Sequence, residues 1–177
     1  MKLTRVERWI ISHQYRILEK LYPDEAEHLA VDREAIERGY EAHYDEAAQE
    51  VFDVPHVMTE EDCQEVLDIL SMFRAIKFSM ETMEDKSGIL DWAAKFRGFD
   101  GNNEGKQLAY TEYYCLKIGR FDELHLADFN SHSPELEVYR RMLAAWEQLP
   151  SERRYSANLT REEIAEITSQ AVHPDQR

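Results

Sequence analysis

Cysteine is scarce in this chain. Cys63 and Cys115 are the only two among 177 residues, and neither belongs to a CxxC pair. A disulfide framework or a thiolate metal cluster needs more, so both are read as reduced thiols buried within helical, apolar patterns. Long apolar runs are lacking too. The longest uninterrupted one, Met142 to Trp146, is far short of a membrane span. The charged N-terminus, MKLTRVER, leaves no apolar stretch for a secretion signal, so a cytoplasmic protein with no membrane association is expected. Missing as well are a GxSxG elbow, a GxxxxGK phosphate loop, a GxGxxG turn after a strand and an HExxH pair. Hydrolase, nucleoside-triphosphatase and dehydrogenase chemistry therefore lack their usual signatures.

Proline is sparse and informative. Its five positions, 23, 55, 134, 150 and 174, each lie at the edge of a segment with helical periodicity, where proline breaks no interior hydrogen bond. Thr4-Arg5-Val6-Glu7 reads as a capping box opening a first helix, with Val6, Ile10, Ile17, Leu18 and Leu21 as its apolar face. Asp24 to Arg38 reads as a more polar helix with Leu29 and Ile36 pointing inward, stopped by Gly39 in a left-handed conformation. Residues 43–57 leave helix, arm and loop all open. Thr59 caps the clearest helix, with apolar positions Cys63, Val66, Leu67, Leu70, Phe73 and Ile76 continuing toward Met80 or Met83. Ile89 to Phe96 predicts a short amphipathic helix. A further helix carries Leu108, Tyr110, Tyr114, Cys115 and Ile118 up to Gly119. Ser133-Pro134 predicts a cap and first-turn proline for a helix bearing Leu136, Tyr139, Met142, Leu143 and Trp146, closed by Pro150. Thr160-Arg161-Glu162-Glu163 is another capping box, and the tail from about 173 is expected to fray.

No strand-type alternation of useful length interrupts this pattern. The expected fold is all-α, a single domain over 1–177 built as a bundle of six or seven helices. At this length roughly 70% of the extended chain's surface can be buried, so the core needs no metal or disulfide.

The formal net charge of −15 is regional: Glu19 to Glu65 holds 16 acidic and 3 basic residues, leaving a net of −2 elsewhere. Such a surface repels nucleic-acid phosphates and attracts basic partners or divalent cations, unless it is simply a solvated helical face.

The best candidate for a site is the stretch FRGFDGNNE, Phe96 to Glu104. Three of the six glycines, Gly98, Gly101 and Gly105, fall within eight positions there, beside a row of polar groups. Candidate binding residues are Arg97, Asp100, Asn102, Asn103 and Glu104, with Tyr110 from the tyrosine-bearing segment that follows. If a helix ran through the motif, Asp100 and Glu104 would share one face, and two nearby carboxylates can hold a divalent ion or divide acid and base roles. The spacing does not match a calcium loop of the EF-hand type. A structural reading competes. Asp100 or Asn102 would cap the next helix, the glycines would make the turn, Phe96 and Phe99 would enter the core, and Arg97 would pair with either carboxylate. Asp122, His125, Asp128 and His132 are the right residue types for zinc or manganese, but their spacing fits no standard motif. No catalytic residue, metal ligand or cofactor is assigned.

Several separated segments together resemble one family. Gln14-Tyr15, Glu37-Arg38-Gly39-Tyr40, Asp68-Ile69, Gly98-Phe99-Asp100 through Glu104, and Phe129-Asn130 leading to Tyr139, Met142-Leu143 and Trp146 resemble the YfbU family of bacterial cytoplasmic proteins. The resemblance covers the chain from its first helix to its last. It implies an all-helical fold and a homo-oligomer, and it carries over no reaction, substrate or cofactor.

The function expected from these features is a self-associating interaction or regulatory protein whose acidic surface engages a basic protein partner, with no role in nucleic-acid binding. The alternative is a small-molecule-binding or divalent-metal-binding enzyme centred on the FRGFDGNNE turn. The balance leans away from an enzyme.

Overall fold

The computed structural model describes residues 1–48, 51, 57–124, 128–173 and 175. Eight α-helical segments occur among them, with short 3₁₀ turns and no strand. The all-α expectation holds. Two of the eight, α3 (Tyr44–Ala47) and α7 (Ser151–Arg154), are single turns, which leaves six longer helices. The chain divides into two compact units, Met1–Val57 and Met58–Arg177.

The first unit pairs α1 (Arg5–Leu21) with α2 (Ala26–Arg38) through a 3₁₀ turn at Pro23–Glu25. The Thr4 capping box forms as expected: Thr4 Oγ1 accepts the Glu7 N–H while Glu7 accepts the Thr4 N–H. Gly39 ends α2 with φ +79°, and Ile36 is buried. Tyr44, in the segment the sequence left open, is buried to 1% exposure. Positions 49, 50 and 52–56 of that segment lie outside the described residues, as do 174, 176 and 177 of the tail.

The face that α1 turns toward α2 is not its apolar one. Ser12 is buried, and Arg8, Ile11, Tyr15 and Glu19 are half-buried around it. The contact is made by polar groups. Glu37 accepts from Ser12 Oγ (2.7 Å), Arg16 (3.0 Å) and Arg33 (3.2 Å), and Glu19 accepts from Arg33 (2.6 Å). Val6, Ile10, Ile17, Leu18 and Leu21, the apolar face read from the sequence, are exposed instead. Three donors converging on one carboxylate fix the rotation of α1, because turning the apolar stripe inward would leave Glu37 and Glu19 unpaired.

The second unit is centred on α4 (Glu60–Glu81), which packs against α5 (Gly105–Glu112) and α6 (Leu136–Trp146); α6 also packs against α8 (Arg161–Ser169). The Thr59 and Thr160 capping boxes both form. Val66, Ile69, Leu70, Phe73 and Ile76 of α4 are fully buried with Tyr139, Met142 and Trp146 of α6 and Ile164 and Ile167 of α8. Arg141 on α6 donates to the Gln170 and Ala171 carbonyls, satisfying the C-terminal end of α8 (3.1 and 2.9 Å). After α5 the chain continues as one π-type turn, Tyr113–Lys117, and Gly119 stops it at φ +72°.

The helix expected over Ile89 to Phe96 does not form. The Ala93 and Ala94 amides both bond the Leu90 carbonyl, giving one turn, and the chain then extends toward Gly98. Ala93, Ala94 and Phe96 are buried while Trp92 is exposed, so the inward positions are nearly consecutive and do not follow a helical period.

Two outcomes follow. Hydrogen bonds, first from Ser12 and then from Arg16, hold the Glu37 carboxyl at about 2, below its ordinary 4.5. A depressed carboxyl contributes stability above its unfolded value and loses it as pH falls, so α1–α2 pairing weakens between about pH 4.5 and 2. Glu37→Gln should flatten that acid dependence and cost about 1–2 kcal/mol at neutral pH, allowing for partial exposure, as read by urea melts at several pH values. The Cys115 thiol is pushed up to about 11, by burial first and then by Glu123 and Asp122, whereas Cys63 is only half-buried. Alkylation followed by mass spectrometry should therefore label Cys63 in the native protein and Cys115 only after unfolding.

Candidate functional site

The FRGFDGNNE stretch folds as a turn locked onto a second segment thirty residues later. Phe99 donates its N–H to the Phe129 carbonyl (2.9 Å) and accepts from the Ser131 N–H (3.1 Å), an isolated parallel bridge with Asn130. Gly98 makes this possible. Its φ is +87°, and a Cβ there would lie 1.9 Å from the Phe129 carbonyl oxygen. A Cβ on Gly101 would crowd the Asn130 amide at 2.9 Å, whereas one on Gly105 would meet open space.

Beneath the turn, Phe96, Phe99, Phe73 and Tyr139 pack ring against ring at 5.0–5.7 Å. Tyr139 is polar at its tip and buried throughout. Its hydroxyl donates to the Gly98 carbonyl (3.0 Å) and accepts from the Arg97 N–H (3.1 Å), and burial raises its pKa far above the ordinary phenol value. It serves as a neutral clamp on both sides of the glycine.

Glu104 is the most heavily used polar group of the turn. It is 6% exposed, and its carboxylate accepts three backbone N–H groups: Asp100 (2.9 Å), Glu135 (2.9 Å) and Leu136 (2.7 Å). The last two belong to the N-terminus of α6, where unpaired N–H groups and the helix dipole favour a negative charge. The cap expected from Ser133 is thus supplied by Glu104, while the Ser133 hydroxyl bonds the Glu135 side chain (3.2 Å).

Asp100, 2% exposed, does not cap α5. Its carboxylate accepts the Asn102 N–H (3.2 Å) and the Asn103 side-chain amide, and the Asn103 bond, with smaller help from Asn102, holds its pKa below the ordinary value. Because α5 starts only at Gly105, no helix runs through the motif and the two carboxylates do not share a helical face. Arg97 pairs with neither. Its guanidinium lies 3.0 Å from Glu135, whose carboxyl is raised by burial and partly drawn back down by Arg97.

The structure therefore brings Arg97, Asp100, Asn103 and Glu104 into one network, adds Asn130, Glu135 and Tyr139, and leaves Tyr110 out. Asn102 enters through its backbone N–H and, more weakly, its side chain. Tyr110 lies half-buried against Tyr113 and Tyr114 at 6.4 and 6.0 Å, beside Cys63. Asn130 accepts the Gly101 and His132 N–H groups at 3.1 and 3.0 Å. Its partner segment showed in the sequence only as Phe129-Asn130, and nothing local to Glu135 signals its role.

Among the described residues, none of the candidates lines the best-formed cavity. That cavity, about 440 Å³, is lined by Phe73, Met80, Phe96 and Leu124 together with charged residues of both signs, Lys77, Lys95, Asp91 and Glu123 among them. Among the described residues, no three of His, Cys, Asp and Glu come close enough together to hold a metal ion. Of the second candidate cluster, Asp122 and Asp128 are exposed, His132 is 3.9 Å from Asp128, and His125 lies outside the described residues.

These features define an all-helical protein whose central polar motif joins a turn to the start of a distant helix. The chain belongs to the YfbU family: the YfbU domain matches residues 1–170, spanning both units. Also among the described residues, no helix is long and apolar enough to cross a membrane.

Removing the Glu104 carboxylate strands three N–H groups. Glu104→Ala should destabilise the second unit by about 3–5 kcal/mol, and Glu104→Gln, which keeps one acceptor oxygen, by less. Gly98→Ala, forced into a left-handed conformation against a carbonyl, should cost more than about 3 kcal/mol. Thermal melts followed by circular dichroism would measure all three.

Proposed function

We propose that this protein is a cytoplasmic, self-associating interaction or regulatory protein that engages a basic protein partner through its acidic surface, and that it is not an enzyme built on the FRGFDGNNE turn. The observation that carries this reading is the orientation of α1. Its polar side is spent on α2, while Val6, Ile10, Ile17 and Leu21 remain exposed by 65%, 46%, 59% and 65%. A stripe of four large aliphatic residues on one helix is apolar surface suited to a protein partner.

The exposed acidic residues lie beyond this helix, from α2 through α3. Glu27, Glu34, Glu41, Asp45 and Glu46 are all exposed. Their field favours basic proteins and disfavours nucleic acid.

The competing enzyme reading loses its main support in the geometry of the turn. Each carboxylate there is already bonded to the chain's own amides, so a metal or substrate would have to share or displace those bonds.

Binding of a lysine-rich and arginine-rich peptide, followed by fluorescence anisotropy, should weaken steeply with salt. It should weaken by about tenfold at low salt when Glu41, Asp45 and Glu46 are changed together to Gln. Unchanged affinity and salt dependence in that variant would remove the acidic surface as the docking site.

A further inference from the structure

The exposed aliphatic residues of α1 are placed symmetrically about the point between His13 and Gln14. Laid against an antiparallel copy of itself about that point, Val6 faces Leu21 and Ile10 faces Ile17. The spacing of these four residues, four, seven and four positions, keeps them on one face of a helix of 3.6 residues per turn. All four are exposed, while the opposite face, Arg8, Ser12, Tyr15 and Glu19, is committed to the first unit.

Charge selects between the two possible directions. The start of the chain is basic, with exposed Lys2 and Arg5, and the turn after α1 is acidic, with exposed Asp24 and Glu25. A parallel pair would stack like charges at both ends. The antiparallel register that aligns the apolar residues also brings the basic start of one chain toward the acidic turn that follows α1 of the other, and it opposes the two helix dipoles. An apolar stripe, its pseudo-symmetry and its end charges thus agree on one partner and one orientation.

We infer that α1 is the self-association surface of this protein, pairing with α1 of a second copy in antiparallel register about a two-fold axis between His13 and Gln14. This rests on the self-association proposed above and specifies where and how it occurs. The central pair, His13 with Gln14, supplies a polar layer between two apolar ones, which opposes sliding of the register.

The test uses the full chain. Sedimentation equilibrium should give a dimer for the wild type and a mass near 20.9 kDa for Ile10→Glu and Ile17→Glu, with Kd raised about 100-fold or more. Because both positions are exposed, circular dichroism should remain native. In a Cys63→Ser background, mild oxidation of a mixture of Ile10→Cys and Ile17→Cys chains should give the mixed disulfide, and neither variant alone should cross-link to itself. Self-cross-linking of either variant without the mixed product would mean parallel pairing and overturn the inference. An oligomer that survives both glutamate substitutions would overturn it while leaving self-association intact. A monomeric wild type at all concentrations would overturn both, and loss of native structure in Ile10→Glu would then indicate that the stripe is covered within the chain itself.

Discussion

The second unit depends on a carboxylate that binds backbone. Glu104 stands at the junction between the FRGFDGNNE turn and α5, and with one side chain it satisfies a turn amide and the first free amides of α6. An anion is what a helix N-terminus attracts, and here the chain provides its own. The bridge from Phe99 to Phe129 and Ser131 brings the two segments close enough for that bond, and Tyr139, projecting from α6, closes the same circuit at Gly98. Loop, helix start and aromatic layer are therefore one cooperative feature. Glycine at position 98 is required because a carbonyl occupies the space of a side chain.

The first unit uses the same device in a different place. Glu37 gathers Ser12, Arg16 and Arg33, and this exposed-edge network decides which way α1 faces. Charge-assisted hydrogen bonds are directional whereas apolar contacts are not, so the bonds set the rotation and the apolar stripe is left outward. In both units a single glutamate thus ties together elements far apart in sequence.

This has a consequence for function. Asp100, Asn103 and Glu104 have the composition of a binding site, and their bonds are those of a scaffold. The proposed recognition surfaces lie elsewhere, on the exposed aliphatic stripe of α1 and the exposed acidic residues of α2 and α3. Association through a helix face needs no catalytic constellation, which fits a turn whose two buried carboxylates, Asp100 and Glu104, are bonded by the chain's own amides.

Much of the fold was legible from short-range chemistry. The capping boxes at Thr4, Thr59 and Thr160 and the stop at Gly39 each involve residues within a few positions, so the sequence by itself determined where those helices begin or end. The inward face of α4 followed from its period of three to four. What only the tertiary structure decided has a common cause: the partner is distant along the chain. Ile89 to Phe96 has helical spacing, but burial of Ala93, Ala94 and Phe96 together with the demands of Gly98 leaves it a single turn. The outward turn of α1 depends on Glu37, and the cap of α6 comes from Glu104 rather than from the neighbouring Ser133. Local patterns record which residues prefer a helix and which surface is apolar. A hydrogen bond across thirty residues leaves no periodic trace, and it was such bonds that turned a polar, glycine-rich motif into structure.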